Sequence, residues 1–164
     1  MPEPERARPG RRLAAALVAL VALPLLAGCS FFGGDDGEGV SVFSIEPAQC
    51  FEGPGEVKAQ LSELTEVACD EPHAHESYAV IEYQPTEGEA PDIYPGDDAL
   101  TKFADGACAG AFGDYVGVDY LDSSLFYTFL LPSARSWEDD DRNVICFVTT
   151  AGEPLQGSVK GSKR

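Results

Sequence analysis

The chain has 164 residues and only two histidines, His73 and His75, which lie two positions apart in the stretch CDEPHAHESY, residues 69–78. Side chains two residues apart point to the same face of an extended backbone, so both imidazoles could bind one metal ion or form an acid–base pair. A zinc site needs three or four ligands, however, and Pro72 introduces a bend that would turn the histidines apart. We therefore predict a structural corner in which His73 hydrogen-bonds a local backbone group. We assign no catalytic residue, no metal ligand and no cofactor.

The N-terminal segment has the pattern of an export signal. A basic start is followed by an almost wholly apolar stretch from Leu13 to Ala27. That stretch is shorter than the about 20 residues that a membrane-spanning helix needs, and it fits the core of a signal peptide. The stretch ends in Leu26-Ala27-Gly28-Cys29, which resembles the lipobox of bacterial lipoproteins. The basic residues are Arg6, Arg8, Arg11 and Arg12.

The lipobox resemblance, together with the composition and length of the chain that follows it, predicts the organisation of the whole chain. We predict a lipoprotein signal peptide over residues 1–28, a lipidated Cys29 with a flexible acidic and glycine-rich tether over residues 29–39, and a single domain over residues 40–164. The lipid would anchor the protein on the extracytoplasmic face of the cell membrane, since two or more acyl chains anchor stably. An ordinary secretory signal that contains a cysteine by chance is the alternative.

The charge of the chain excludes one class of partner. Its formal net charge is −17 at pH 7, with 28 acidic residues against 11 lysines and arginines. Such a surface repels the phosphate backbone, so nucleic acid is not an expected partner. Cationic partners and loosely held divalent ions remain compatible with it.

One amphipathic helix is predicted in YPGDDALTKFADGACAGAFGDY, residues 94–115. Its apolar residues recur at helical spacing and place Cys108 on the buried face. Asp97 and Asp98 suit the start, because acidic side chains there complement the helix dipole. Gly113 is the predicted end.

Several segments have the composition of β-strands. LFYTFLL (125–131) is nearly continuous in apolar residues, which predicts a central strand. NVICFVTT (143–150) places Val144, Cys146 and Val148 on one face. The others are LTEVACD (64–70), ESYAVIEY (76–83) and the weaker edge candidate VSVFSI (40–45). Because strands and helices do not alternate, we predict an α+β fold, a mostly antiparallel sheet with one main helix packed on it.

Two disulfides are expected from the four cysteines that follow Cys29, since an even number in an exported domain is typical of a disulfide framework. The buried face of the helix and the apolar face of the last strand bring Cys108 to Cys146, which leaves Cys50 to Cys69. The other two connectivities stay open at this point. Oxidised pairs leave no cysteine as a nucleophile.

The stretch WEDDDRN, residues 137–143, is predicted to form a polar hairpin turn before the strand that begins at Asn143. Three consecutive aspartates could bind calcium, but the spacing of an EF-hand loop is absent. Trp137 is expected to pack over the edge of the sheet with Arg142 nearby, and a sugar-stacking platform is the alternative. The chain contains no G-x-S-x-G motif and no glycine-rich phosphate loop, so no enzyme is predicted.

The order of these features resembles the actinobacterial septum formation family, over about residues 45–161. The shared features are QCF (49–51), VACDEPHAHE (67–76), YPG (94–96), the cysteine-containing helix, LLPSARSWEDDDRNVICFV (130–148) and GSVKG (157–161). The resemblance marks Pro72, His73, Trp137 and Arg142 as a box of functional or structural residues. Gln49 and Asp140 stand where this family more usually has Asp and Gly.

The expected function follows from location and family resemblance. We predict a lipid-anchored, non-enzymatic binding module that acts in septum formation or cell-envelope biology, with the membrane and envelope or division proteins as partners. A lipoprotein that senses a ligand or cation is the alternative, and a cell-wall hydrolase or transferase is a further one. An apolar groove would favour a partner-binding module, whereas a pocket of converging titratable groups would favour an enzyme.

Overall fold

A computed structural model describes residues 39–53, 61–86, 88 and 90–164. The predicted signal peptide, the lipidated Cys29 and the tether as far as residue 38 lie outside the described residues. Among the residues that the structure describes, no helix is long and apolar enough to cross a membrane.

The described residues form a six-stranded antiparallel sheet in the order β1-β3-β2-β5-β7-β6, and a separate antiparallel pair of β4 with β8. Two short 3₁₀ helices, Val42–Ser44 and Tyr120–Asp122, accompany the helices α1 (Asp97–Val116) and α2 (Ala134–Glu138). The strands are β1 (Gly39–Ser41), β2 (Cys50–Phe51), β3 (Glu63–Val67), β4 (Pro72–His73), β5 (His75–Glu82), β6 (Phe126–Leu130), β7 (Asn143–Thr149) and β8 (Leu155–Gln156). The predicted α+β fold is confirmed.

Helix α1 is longer than predicted. Asp97 and Asp98 occupy its first turn, as expected. Gly113 does not end it, because Tyr115 and Val116 are buried and continue the apolar face for another turn. The helix ends at Gly117, whose φ of 86° is the left-handed conformation that glycine adopts freely, and whose N–H donates to the carbonyl of Gly113.

Strand β7 divides the core between the two faces of the sheet. Val144, Cys146 and Val148 face α1 in one cluster, as predicted, while Ile145 and Phe147 belong to a second cluster on the opposite face. All five side chains are buried, because β7 lies between β5 and β6 in the sheet. Successive side chains of β7 enter apolar clusters on opposite faces of the sheet, and the sequence of the strand is therefore a continuous apolar run.

The prediction that residues 125–131 form a central strand is wrong, since β6 is the edge of the sheet. Tyr127 and Phe129 pack against the cluster beneath α1, and Leu130 packs against the opposite one. Phe126, at the start of the strand, is 45% exposed. An apolar run identifies a strand with a hydrophobic side chain on both faces, but it does not show whether both edges are paired.

Both predicted disulfide pairings are confirmed. Cys108–Cys146 joins α1 to the central strand β7. Cys50–Cys69 joins β2 to the turn that follows β3. β1 and β3 are shorter than predicted, because a 3₁₀ helix begins at Val42 and β3 ends at Val67, two residues before this disulfide.

Candidate functional site

His73 lies in the predicted structural corner. It is buried in the short strand β4, which pairs with β8 through Leu155. Its Nδ1 lies 2.8 Å from the carbonyl oxygen of Glu71, and because a carbonyl only accepts, Nδ1 carries the proton. The expectation that His73 hydrogen-bonds a local backbone group is confirmed.

His75 does not share that environment. It begins β5 and packs its ring edge-on against Phe147, 6.1 Å between centroids, on the sheet face away from α1. Burial, and secondarily the charge of His73, lowers the pKa of His75. The structure therefore does not bring the two imidazoles together around one ion.

Glu76 is the centre of a buried network that the sequence did not reveal. Its side chain has no exposed surface, and it accepts hydrogen bonds from the hydroxyls of Tyr115 and Ser158, both at 2.6 Å, and from the N–H of Val159 at 2.8 Å. His73 Nε2 lies 3.5 Å from Glu76 Oε2. Burial and the hydrogen bond to Glu76 raise the pKa of Tyr115. One carboxylate thus ties β5, α1, the corner and the C-terminal segment together.

The sequence signals for this network were indirect. Glu76 ends VACDEPHAHE, and two of its three donors, Ser158 and Val159, lie in GSVKG; both segments were singled out by resemblance alone. From the sequence alone, a glutamate at the start of a strand is expected to face solvent, because acidic side chains are almost never buried without partners. The partners lie 39 and 82 or more residues away along the chain, beyond the reach of local pattern.

Trp137 and Arg142 form the second pair that the resemblance marked. Trp137 lies in α2, which Ser133 and Ser136 begin through a reciprocal capping box. Trp137 is 3% exposed, and the guanidinium carbon of Arg142 lies 3.7 Å from its ring centroid. The predicted proximity of Arg142 is confirmed, but Trp137 packs among Tyr83, Tyr94 and Leu100 and not over an edge strand of the sheet. The sugar-stacking alternative is wrong, because the ring is buried and has no open face.

Arg142 also shapes the acidic turn. Its Nη1 donates to the carbonyl oxygens of Trp137 at 2.8 Å and of Asp141 at 2.9 Å, which fixes the backbone across the turn. Asp140 has a φ of 63°, a left-handed conformation that glycine adopts more easily. This explains why a glycine would suit that position. The polar turn is confirmed, with α2 as an addition that the sequence analysis missed.

The turn borders a groove of ≈ 830 Å³ on the sheet face opposite α1. Its floor is a cross-strand row in which Ile145 of β7 pairs with Val80 of β5 and Leu130 of β6. A smaller pocket of ≈ 140 Å³ shares Leu130 and Leu61 with it. The other lining residues of the larger groove include Val42, Phe43, Ile45, Ser133, Arg135, Asp139, Asp140 and Asp141.

The groove carries apolar surface that faces solvent. Phe43 lines it and is 66% exposed. Phe126 occupies the same face of β6 as Leu130, because the two are an even number of residues apart in one strand. A large exposed apolar group in the lining of a groove is typical of an interaction site. Within the described part of the chain, the arrangement combines an apolar floor, a strand edge without a partner strand and an acidic border.

These features place the chain in the class of small, disulfide-stabilised α+β domains. Residues 44–162 match the family described as Septum formation, and the chain belongs to this family. Family membership links it to septum formation and the cell envelope. No match was found among curated proteins, and none among solved structures.

Proposed function

We propose that this protein is a lipid-anchored, extracytoplasmic and non-enzymatic module that binds a segment of an envelope or division protein in the groove beside β6. The groove, with its apolar floor and its border of three aspartates, carries this proposal. The bound segment would be extended, with apolar side chains toward the floor and lysine or arginine near Asp139–Asp141.

The apolar floor favours this occupant because burying apolar surface supplies the main favourable term of association. A segment that pairs with the edge of β6 would lie next to Leu130 and extend the row of Val80, Ile145 and Leu130 by one strand. An edge strand also presents unpaired backbone groups that an extended peptide recognises. A bound segment could therefore pair with β6 and place alternate side chains in the groove.

The charges favour a cationic segment. The net charge of −17 gives the whole protein a field that attracts basic partners. Asp139–Asp141 bring three carboxylates to the groove lining, against the single guanidinium of Arg135. Charges at the rim of an interface act mainly on orientation and association rate. We expect binding to weaken as salt is added.

The chemistry of the lining residues supports a non-enzymatic role. The hydroxyls of Ser133 and Ser136 are hydrogen-bonded to each other and to the backbone of α2, where they cap the helix. His75 lies in the smaller pocket among Leu64, Phe147 and other mostly apolar residues. A nucleophile and its base need to lie within hydrogen-bond reach, and the hydroxyls of Ser133 and Ser136 are committed to the helix cap.

A position-specific crosslink tests the groove. A photo-crosslinking phenylalanine analogue at position 43 should capture a membrane or division protein in intact cells, through a segment that combines apolar residues with lysine or arginine. The same analogue at Leu121 is the control, since Leu121 is 88% exposed in the 3₁₀ helix that contacts α1. Equal capture of the same protein from both positions would contradict the proposal.

Charge neutralisation gives the matched quantitative test. Asp139→Asn with Asp141→Asn should weaken affinity for the captured segment about fivefold at low salt, since each exposed pair contributes up to about 1 kcal/mol. Asp114→Asn with Asp122→Asn removes the same charge from exposed positions outside the groove. Both double variants should unfold at similar temperatures. An identical affinity in the two would exclude the acidic turn from the interface.

The lipid anchor rests on the sequence Leu26-Ala27-Gly28-Cys29. We expect Cys29→Ala to abolish lipid attachment, because Cys29 is the cysteine of the lipobox-like sequence and the other four cysteines are paired in disulfides. The variant should leave the membrane fraction or stay unprocessed, as seen by fractionation and by intact mass. Ser30→Ala, one residue further on, is the control and should stay lipidated. A Cys29→Ala protein with unchanged mass and full membrane retention would disprove the anchor.

A further inference from the structure

We propose that opening the Cys50–Cys69 disulfide creates a buried site for a zinc-class cation, with Cys50, Cys69, His73 and Glu76 as ligands. This site lies on the α1 side of the sheet, where Tyr115 and Val159 contact Glu76, and is separate from the groove. The proposal does not depend on the binding function above.

The ligand atoms are already close together. One ligand atom from each of Cys50, His73 and Glu76 lies within 4.8 Å of the other two, and all three residues are buried. Cys50 and Glu76 are direct partners in the pairing of β2 with β5, which places both side chains on one face. The Cys69 sulfur is bonded to that of Cys50. Two sulfurs, one imidazole and one carboxylate form a donor set of the kind that tetrahedral zinc takes.

His73 is oriented as a metal ligand usually is. Histidines that bind metals donate their other ring N–H to a carbonyl or carboxylate, which fixes the ring and its tautomer. Nδ1 of His73 makes that bond to Glu71. Nε2 is buried and has no hydrogen-bond partner, and it faces Glu76 Oε2 at 3.5 Å. The free nitrogen thus points at the position where a cation would lie.

Glu76 is held in the same way. Tyr115, Ser158 and Val159 donate to its two oxygens and fix the carboxylate, which leaves little reorganisation for metal binding. Supporting hydrogen bonds of this kind typically change metal affinity 10- to 100-fold when they are removed. The hydrogen bonds that support the carboxylate of Glu76 are therefore present before any cation binds.

The oxidised protein offers only two of the four ligands, because thiolate, and not disulfide sulfur, is the zinc ligand. A reducing dithiol supplies the two electrons. One of its thiolates attacks the sulfur of Cys69, which is half-buried, and Cys50 leaves as a thiolate and takes up a proton. The second thiol of the reductant then releases Cys69 and closes the reductant's own disulfide. Zinc binding finally displaces both cysteine protons.

Reduction should be selective for this disulfide. Cys108 and Cys146 are both wholly buried between α1 and β7, so neither sulfur is open to attack. Exposure of the attacked sulfur controls the rate of thiol–disulfide exchange. A mild dithiol therefore opens Cys50–Cys69 and leaves the second disulfide intact.

Cobalt and zinc titration of the full mature lipoprotein in detergent tests the site. After anaerobic treatment with dithiothreitol and removal of the reductant, with mass spectrometry showing Cys108–Cys146 intact, one Co²⁺ per chain should bind. Its spectrum should show thiolate-to-cobalt charge transfer and tetrahedral d–d bands, and Zn²⁺ should displace it. The oxidised protein should show neither band. A reduced protein with no cobalt binding, or with an octahedral spectrum, would overturn the proposal.

Two variants separate this site from unspecific binding to free thiols. Tyr115→Phe removes one hydrogen bond to Glu76 and should weaken zinc binding to the reduced protein about tenfold. Tyr127→Phe is the matched control, since the Tyr127 hydroxyl donates to the carbonyl of Asp105 and makes no contact with Glu76. Glu76→Gln should remove the tetrahedral cobalt bands if circular dichroism shows the fold retained. Tetrahedral cobalt bands that persist in a folded Glu76→Gln protein would show that Glu76 is not a ligand, and equal zinc affinity for the two tyrosine variants would contradict the supporting role of Tyr115.

Discussion

Glu76→Ala is expected to lower the free energy of unfolding by about 3–5 kcal/mol, because removing one partner from a buried polar and charged network leaves the others without a partner. The hydroxyl of Tyr115 and the N–H of Val159 would lose their acceptor, and the imidazole of His73 would lose the carboxylate at 3.5 Å. Urea denaturation followed by circular dichroism, with the wild-type protein measured alongside, gives the difference.

Glu82→Ala is the matched control for that measurement. Glu82 ends the same strand and is exposed, so its removal should change the free energy of unfolding by no more than about 0.5 kcal/mol. Glu76→Ala should also loosen the C-terminal segment, which amide hydrogen exchange at Val159 would detect. A loss of stability no larger than that of Glu82→Ala would mean that the network does not hold the fold together.

The family-marked residues lie at the two ends of β5. His73 and Glu76 surround its start, whereas Trp137 packs against Tyr83 just after its end. The carbonyl of Arg142 accepts a hydrogen bond from the N–H of Tyr83, which joins the acidic turn to the same strand. Strand β5 therefore holds the corner at one end and the border of the groove at the other. This arrangement gives a structural reason for residues that the sequence could only mark by resemblance.

The features that were predicted correctly from the sequence are those that follow from the regular spacing of apolar residues in a helix or a strand. The 3.6-residue spacing placed Cys108 on the inner face of α1, and the two-residue alternation placed Cys146 on the face of β7 that meets it. These two faces favoured one pairing of the cysteines over the other two, and the structure confirms it. Local backbone preference also identified the turn at Asp139–Asp141.

What the sequence missed depends on contacts between distant segments. The edge position of β6 is set by which strands pair, and LFYTFLL has the same composition at an edge as at the centre. The end of α1 moved from Gly113 to Gly117 because Tyr115 and Val116 gain burial in the core. The groove depends on the meeting of Ile45, Val80 and Leu130, which are far apart in the chain. None of these outcomes is encoded in a local pattern.

The second large effect concerns the Cys108–Cys146 disulfide. Replacing both cysteines by alanine is expected to cost about 4 kcal/mol, because the bond closes a loop of 38 residues and so restricts the unfolded chain. Cys50→Ala with Cys69→Ala opens a loop of 19 residues, and the same relation gives about 3 kcal/mol. Both sulfurs of the first pair are fully buried, so their removal also leaves space in the core beneath α1.

Urea denaturation of the two double variants under oxidising conditions measures both costs. Because Cys108–Cys146 fastens α1 to β7, its loss should also expose the core, which increased binding of a hydrophobic dye at intermediate urea would report. Non-reducing peptide mapping of the wild-type domain should find both pairs and no free thiol among these four cysteines. If loss of the shorter loop proves more costly than loss of the longer one, the stabilisation comes from the Glu76 region around Cys50 and not from chain entropy.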